Sequence, residues 1–200
     1  MRVALVDYGA GNLQSVRNAL KAAGADDILV TANPDAVCAA DRIVLPGVGA
    51  FAHCMGALSA IDGMIDALNE ATGTAAKPFL GICVGMQLMA QAGEEHGTHA
   101  GLGWVNGRVR LMDGGTGVKI PHMGWNDVVP AHSHPLIEPG EAYFLHSFAY
   151  DGDDVIATTE HGGAVVAAIG RDNRIGVQFH PEKSQKYGLR FLSQFLEWRP

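Results

Sequence analysis

The feature that most restricts the fold of this chain is the regular alternation of short apolar runs with helical patterns in its first half. Residues 3–6 read as a buried strand. Leu13, Val16, Leu20 and Ala23 then recur at helical spacing up to Gly24, a helix stop. Residues 28–31 form a second apolar run, and 43–45 a third that leads into Pro46-Gly47-Val48-Gly49. Residues 51–70 are helical in pattern with a break at Asp62-Gly63, 79–82 make a fourth strand, and 85–92 begin another helix. Strands that alternate with helices bury both faces of a parallel sheet, and they leave their loops at the strand C-terminal ends. From about Trp104 the texture changes to closely spaced strands at 105–111, 126–129, 142–145, 155–159, 165–169 and 175–178, with Asp172-Asn173 as one turn. Leu189, Leu192, Phe195 and Leu196 mark a closing amphipathic helix. The expected fold is α/β, a doubly wound, mostly parallel sheet with helices on both faces and a strand-rich second half. No repeat, linker or low-complexity stretch divides it, so residues 1–200 read as a single domain.

About half of the 200 residues are apolar, enough for a sizeable core, and the formal net charge is −7. That balance argues against a nucleic-acid partner, which clustered Lys and Arg would have to hold. The N-terminal segment lacks the long apolar stretch of a secretory signal, and nothing reaches membrane-spanning length. Cys38, Cys54 and Cys83 are odd in number and lack CxxC spacing, which fits reduced thiols in the cytoplasm.

One cysteine has a special frame. Gly81-Ile82-Cys83-Val84-Gly85 joins a strand to a helix, the sulfur counterpart of the GxSxG nucleophile elbow. So sharp a turn holds its central residue at strained angles, and side chains at the flanking positions would strike the neighbouring strand and helix. The new helix points its free N–H groups at the sulfur, where negative charge develops. Cys38 and Cys54 lack such a frame and read as structural.

A cysteine nucleophile needs a base, and the base needs a group that fixes its tautomer. His180-Pro181-Glu182 follows an apolar strand, and residues two apart in an extended segment project to the same side, so Glu182 reaches the ring of His180. His132 and His134 lie in a Pro-rich loop without a carboxylate or cysteine frame and read as solvated; no metal site is expected. Gly47, Val48 and Gly49 lie where a strand ends, either as oxyanion-binding backbone or as an ordinary turn. Gly9-Ala10-Gly11 fails as a dinucleotide loop because Gln14 stands where its third glycine belongs, which leaves a tight turn with Asn12 as helix N-cap.

With these residues in place, the sequence resembles the class I (triad) glutamine amidotransferases. GICVGMQ at 81–87 and FHPE at 179–182 are similar to that family's nucleophile and His-Glu motifs, and LPGVG at 45–49 to its oxyanion strand. DYGAGNLQSV at 7–16, HMGWN at 122–126, YFLHSF at 143–148 and FHPEKS at 179–184 resemble, within the family, the glutaminase subunits of imidazole glycerol phosphate synthases. Val84 and Ala10 depart from the usual Leu and Met. The resemblance implies that Cys83 is the nucleophile, His180 the general acid and base, and Glu182 its orienter. It further implies that Gln87 and the backbone at His146, Ser147 and Phe148 hold glutamine, and that Gly47 to Gly49 supply oxyanion donors. Asn12, Trp125 and Lys183 are then expected to face a partner, a (β/α)₈-barrel cyclase. The implied reaction hydrolyses glutamine without a cofactor and delivers ammonia to that cyclase. The cyclase makes imidazole glycerol phosphate and aminoimidazole carboxamide ribonucleotide in histidine biosynthesis. A glutaminase of another pathway, a cysteine hydrolase of related fold and an inactive binding module are the competing readings.

Overall fold

The computed structural model describes residues 1–114 and 117–200. Its first half runs β1 (Arg2–Val6), α1 (Leu13–Ala22), β2 (Asp27–Thr31), α2 (Pro34–Ala39), β3 (Arg42–Gly47), α3 (Phe51–Ser59) and α4 (Met64–Asn69). It continues through β4 (Phe79–Cys83) to the short α5 (Val84–Gln87). The second half contains β5 (Ala92–Gly93), β6 (His99–Ala100), β7 (Gly107–Leu111), β8 (His122–Pro130), β9 (Gly140–His146) and β10 (Phe148–Gly152). It ends with β11 (Val155–Glu160), β12 (Ala164–Arg171), β13 (Arg174–Val177) and α6 (Gln185–Glu197).

Among the described residues, nine strands form one sheet in the order β2-β1-β3-β4-β13-β12-β11-β8-β9, and four form a small second sheet, β10-β7-β5-β6. In the large sheet the pairings from β2 to β13 are parallel, and those from β13 to β9 antiparallel. The doubly wound half is therefore parallel as expected, and the strand-rich half makes the whole sheet mixed. The β3 and β4 strands are buried along their whole length, because helices cover both faces. The chain crosses from β1 to β2 in one direction and from β2 to β3 in the other, so right-handed crossovers place α1 and α2 on opposite faces. The closing α6 packs beside α1, while α2 packs on α4.

Four local expectations need correction. The helix after Cys83 ends at Gln87 instead of continuing to Ala92. The carbonyls of Leu88, Met89 and Ala90 bind the backbone N–H groups of Leu102, Trp104 and Gly103 at 2.8, 2.9 and 3.0 Å, which removes them from any helical ladder. Asn12 occupies the N-cap position of α1 but makes no side-chain cap bond. In α6 the buried stripe is Gly188, Phe191, Leu192, Phe195 and Leu196, and Leu189 lies 36% exposed on the outer side. Burying Phe191 and Phe195 contributes about 2–3 kcal/mol each relative to exposure. The β10 strand was not anticipated, because its half-buried FAYDG run lacks a clean alternation.

The turn that ends β4 is as tight as the sequence requires. Cys83 has φ +54° and ψ −111°, a conformation that costs about 1–3 kcal/mol for a non-glycine residue. A Cβ on Gly85 would lie 1.9 Å from the Leu45 carbonyl oxygen, and one on Gly81 would lie 2.6 Å from the Gly85 oxygen. Since both obstacles are backbone, Gly85→Ala is expected to destabilise the protein by about 3 kcal/mol or more. Urea unfolding checks this, with an unchanged midpoint as the contrary result.

Candidate active site

The sheet order brings three distant segments together. The β4 strand lies between β3 and β13, with Gly47 opposite Cys83 on one side and Val177 opposite Ile82 on the other. The nucleophile candidate, the glycine segment and His180 thus meet at one edge of the sheet, although they are drawn from residues 47 to 180 of the chain.

Two hydrogen bonds lace the His180 segment to β9, and a third closes the segment on itself. His180 N–H donates to the Tyr143 carbonyl at 2.9 Å. Tyr143 N–H donates to the Ser184 hydroxyl at 2.9 Å, and that hydroxyl donates to the His180 carbonyl at 2.6 Å. Ser184 is buried and explains a position that the sequence reading left without a role. So anchored, His180 places Nδ1 2.8 Å from Glu182 Oε1, with side-chain exposures of 3% and 1%. A carboxylate only accepts, so Nδ1 carries the proton and the other ring nitrogen serves Cys83. Burial by itself depresses the pKa of His180. Hydrogen bonds to Cys83 and Glu182, together with their charges, more than reverse this and raise it to about 10.

Beside the sulfur lies a pocket of about 240 Å³. Val48, Gly49, Gln87, His146, Ser147, Phe148 and Lys183 line it with Cys83 and His180, as does Glu95, whose Oε2 accepts the Phe51 N–H at 2.9 Å. Glu95 carries no sequence signal, since it lies in an irregular loop. Gly47 lies behind the pocket wall, where a Cβ would meet the Gly85 nitrogen at 2.7 Å. Two buried side chains grip the glycine segment: the Tyr8 hydroxyl donates to the Pro46 carbonyl at 2.7 Å, and the Cys54 thiol to the Val48 carbonyl at 3.3 Å. In a trans peptide C=O and N–H point opposite ways, so the Gly49 N–H is turned away from Cys54. Cys54 therefore acts as a clamp on this segment.

Trp125 and Lys183 both reach Tyr143, whose ring lies 6.2 Å from the Trp125 ring and 5.7 Å from Lys183 Nζ. With Met123 and Leu145 opposite each other in the β8–β9 ladder, these residues form an exposed apolar patch at the pocket rim. Asn12 stands half-buried at the start of α1, beyond the C-terminal end of β1. His132 and His134 border a separate hollow along residues 127–140. Among the described residues no group of three or more His, Cys, Asp or Glu is arranged to hold a metal ion. No helix there is long and apolar enough to cross a membrane.

Comparison with known proteins assigns the chain to a family. The family model for class-I glutamine amidotransferases matches residues 4–198. The "Imidazole glycerol phosphate synthase subunit HisH" of Zymomonas mobilis is 61% identical over 205 residues, covering 99% of this chain and 96% of that protein. The protein of the same name from Rhodopseudomonas palustris is 50% identical over 216 residues, covering all of both chains. Among solved structures, a crystal structure of a glutamine amidotransferase aligns with TM-score 0.75 at 16% identity, over 97% of each chain, which supports the fold. With a family match over nearly its whole length and relatives this similar, the chain belongs to the class I glutamine amidotransferases.

Proposed function

We infer that this chain is the glutaminase subunit of an imidazole glycerol phosphate synthase, acting as one domain through Cys83, His180 and Glu182. The observation that carries the reading is the strained Cys83 elbow set against a buried His180–Glu182 pair at the edge of a glutamine-sized pocket. The similarity to named subunits of that synthase supports the choice of pathway.

The mechanism follows from the roles of these groups. Cys83, its thiol proton already resting on His180 at neutral pH, attacks the side-chain carboxamide carbon of glutamine. Backbone N–H groups of the Val48–Gly49 segment receive the oxyanion. His180 returns the proton to the departing nitrogen, which leaves as ammonia, and a γ-glutamyl thioester remains on the sulfur. Water that has given a proton to His180 hydrolyses this ester to glutamate. Glu182 supports the imidazolium in both halves. Glu95, a carboxylate on the pocket wall, suits the α-ammonium of glutamine, and Lys183 at the rim suits its α-carboxylate.

The apolar patch of Met123, Trp125, Tyr143 and Leu145, with Lys183 beside it, is the face proposed to receive the (β/α)₈-barrel cyclase. Leu145 and Val48 belong both to the exposed rim and to the pocket lining, so a partner seated there closes the pocket mouth. Asn12 extends the same edge.

Cys83→Ala is expected to lower glutamate release at least about 10³-fold while leaving the fold and partner binding intact. Measurable turnover near the wild-type rate would reject the nucleophile assignment. Since His180 holds its proton until about pH 10, kcat/KM for glutamine should stay level through neutral pH and fall as the pH rises toward that value. Its contribution to stability should likewise be complete below the ordinary imidazole pKa and fade in the same alkaline range. Glu182→Gln should move the alkaline limb to lower pH, because the carboxylate no longer supports the imidazolium. A pH–rate profile of both proteins is the check, and coincident alkaline limbs would remove Glu182 from the triad. Adding the cyclase with its nucleotide should raise glutamate release by the isolated chain about tenfold or more; equal rates would reject partner gating.

A further inference from the structure

One acceptor sets the direction of every hydrogen bond beneath the pocket. The Phe148 carbonyl can only accept, and it takes N–H from Gln87 Nε2 at 3.0 Å and from His146 Nδ1 at 2.9 Å. The amide nitrogen of Gln87 is thereby located, so the atom of Gln178 that faces it at 2.9 Å must be the oxygen. This turns Gln178 Nε2 toward the Cys83 sulfur, 3.6 Å away. On the other arm His146 has spent its proton on Phe148, so its Nε2 accepts from His122 Nδ1 at 3.1 Å, and His122 Nε2 accepts from Asn126 Nδ2 at 3.0 Å. Asn126 is itself oriented, since its oxygen accepts the Asp127 N–H at 2.9 Å and its nitrogen also donates to the Glu160 carbonyl at 2.8 Å.

Resting on the reading of Cys83 as nucleophile, we propose that Gln178 is a further catalytic residue whose side-chain N–H donates to the Cys83 sulfur. With the thiol proton resting on His180, the electron pair on sulfur is stabilised by this donor until it forms the bond to the carboxamide carbon. Gln178 keeps its own proton throughout. The side chain is fully buried and its oxygen is already bound, so the N–H is preorganised and needs no rearrangement when charge develops. Gln87 and His146 are positioning residues that keep the amide from turning over. The two imidazoles hold this polarity as neutral groups. Burial first, and neighbouring imidazoles second, push His122 down to about 4, and burial pushes His146 to about 4 against its bond to Phe148.

The test uses the full chain bound to its cyclase and measures alkylation of Cys83 by a chloroketone analogue of glutamine, read by mass spectrometry of the Cys83 peptide across acidic and neutral pH. Gln178→Met should alkylate about tenfold more slowly or worse at neutral pH, with the acid limb of the rate profile moved to higher pH, because a donor to a developing charge is lost. Glutamine turnover should show the loss in kcat with KM little changed. Gln178→Glu keeps the volume and the bond from Gln87 but sets a charged acceptor against the sulfur, so it should slow alkylation more than the Met variant does. In the wild type, where folding is not in question, alkylation of Cys83 should shift the NMR signals of the Gln178 side-chain amide protons. Folded variants with a wild-type alkylation profile, or amide signals that do not move, would overturn the role of Gln178. Failure of the wild type itself to be labelled at Cys83 would overturn the nucleophile reading along with it.

Discussion

The close passage of the Cys83 turn under β3 is the contact on which the rest of the site depends. The Gly85 backbone lies so near the Leu45 carbonyl that a single carbon added at Gly85 would overlap it. That approach locks the elbow against the strand carrying the glycine segment, and so sets the distance between the sulfur and the backbone expected to receive the oxyanion. The strain at Cys83 persists because β3 and β13, hydrogen-bonded on either side of β4, determine where the chain must turn.

Around this turn the groups proposed to react are held by backbone more than by one another. His180 is placed by its N–H on Tyr143 and by the Ser184 hydroxyl, which bridges Tyr143 and His180. The glycine segment is held by Tyr8 and Cys54 through the Pro46 and Val48 carbonyls. Such supports leave the functional atoms little conformational freedom to lose at the moment of reaction, which is how a preorganised site gains rate.

The polar interior behind the pocket also unites the two halves of the sheet. Gln87 comes from the helix after the elbow, Gln178 follows β13, and His122 and His146 belong to the antiparallel β8–β9 hairpin. The outer face of that hairpin carries Trp125 and Met123. The nucleophile and the hairpin that carries the rim are thus joined by contiguous hydrogen bonds whose buried members all have partners, an arrangement that makes such a network rigid instead of destabilising.

The parallel half of the fold was legible in the residues because buried central strands read as unbroken apolar runs and helices as a 3.6-residue period. The elbow was legible because only glycine tolerates its flanks; His180 and Glu182 were legible as neighbours, but they meet because Pro181–Lys183 forms a 3₁₀ turn after His180, and not through the extended segment expected. Alternation also placed Gln178 on the same side as His180, a signal that passed unread. Other features arise between segments far apart in the sequence. The four-residue length of α5 depends on the loop around Gly101 to Trp104 capturing the carbonyls after Leu88. The roles of Glu95, Ser184 and Cys54, and the register that sets Gly47 against Cys83, depend on which strands become neighbours. Local sequence determined the residues able to do the chemistry, because backbone conformation and side-chain period are local properties. Tertiary structure decided which of them meet, because strand order and hydrogen-bond direction are settled only when distant segments pack.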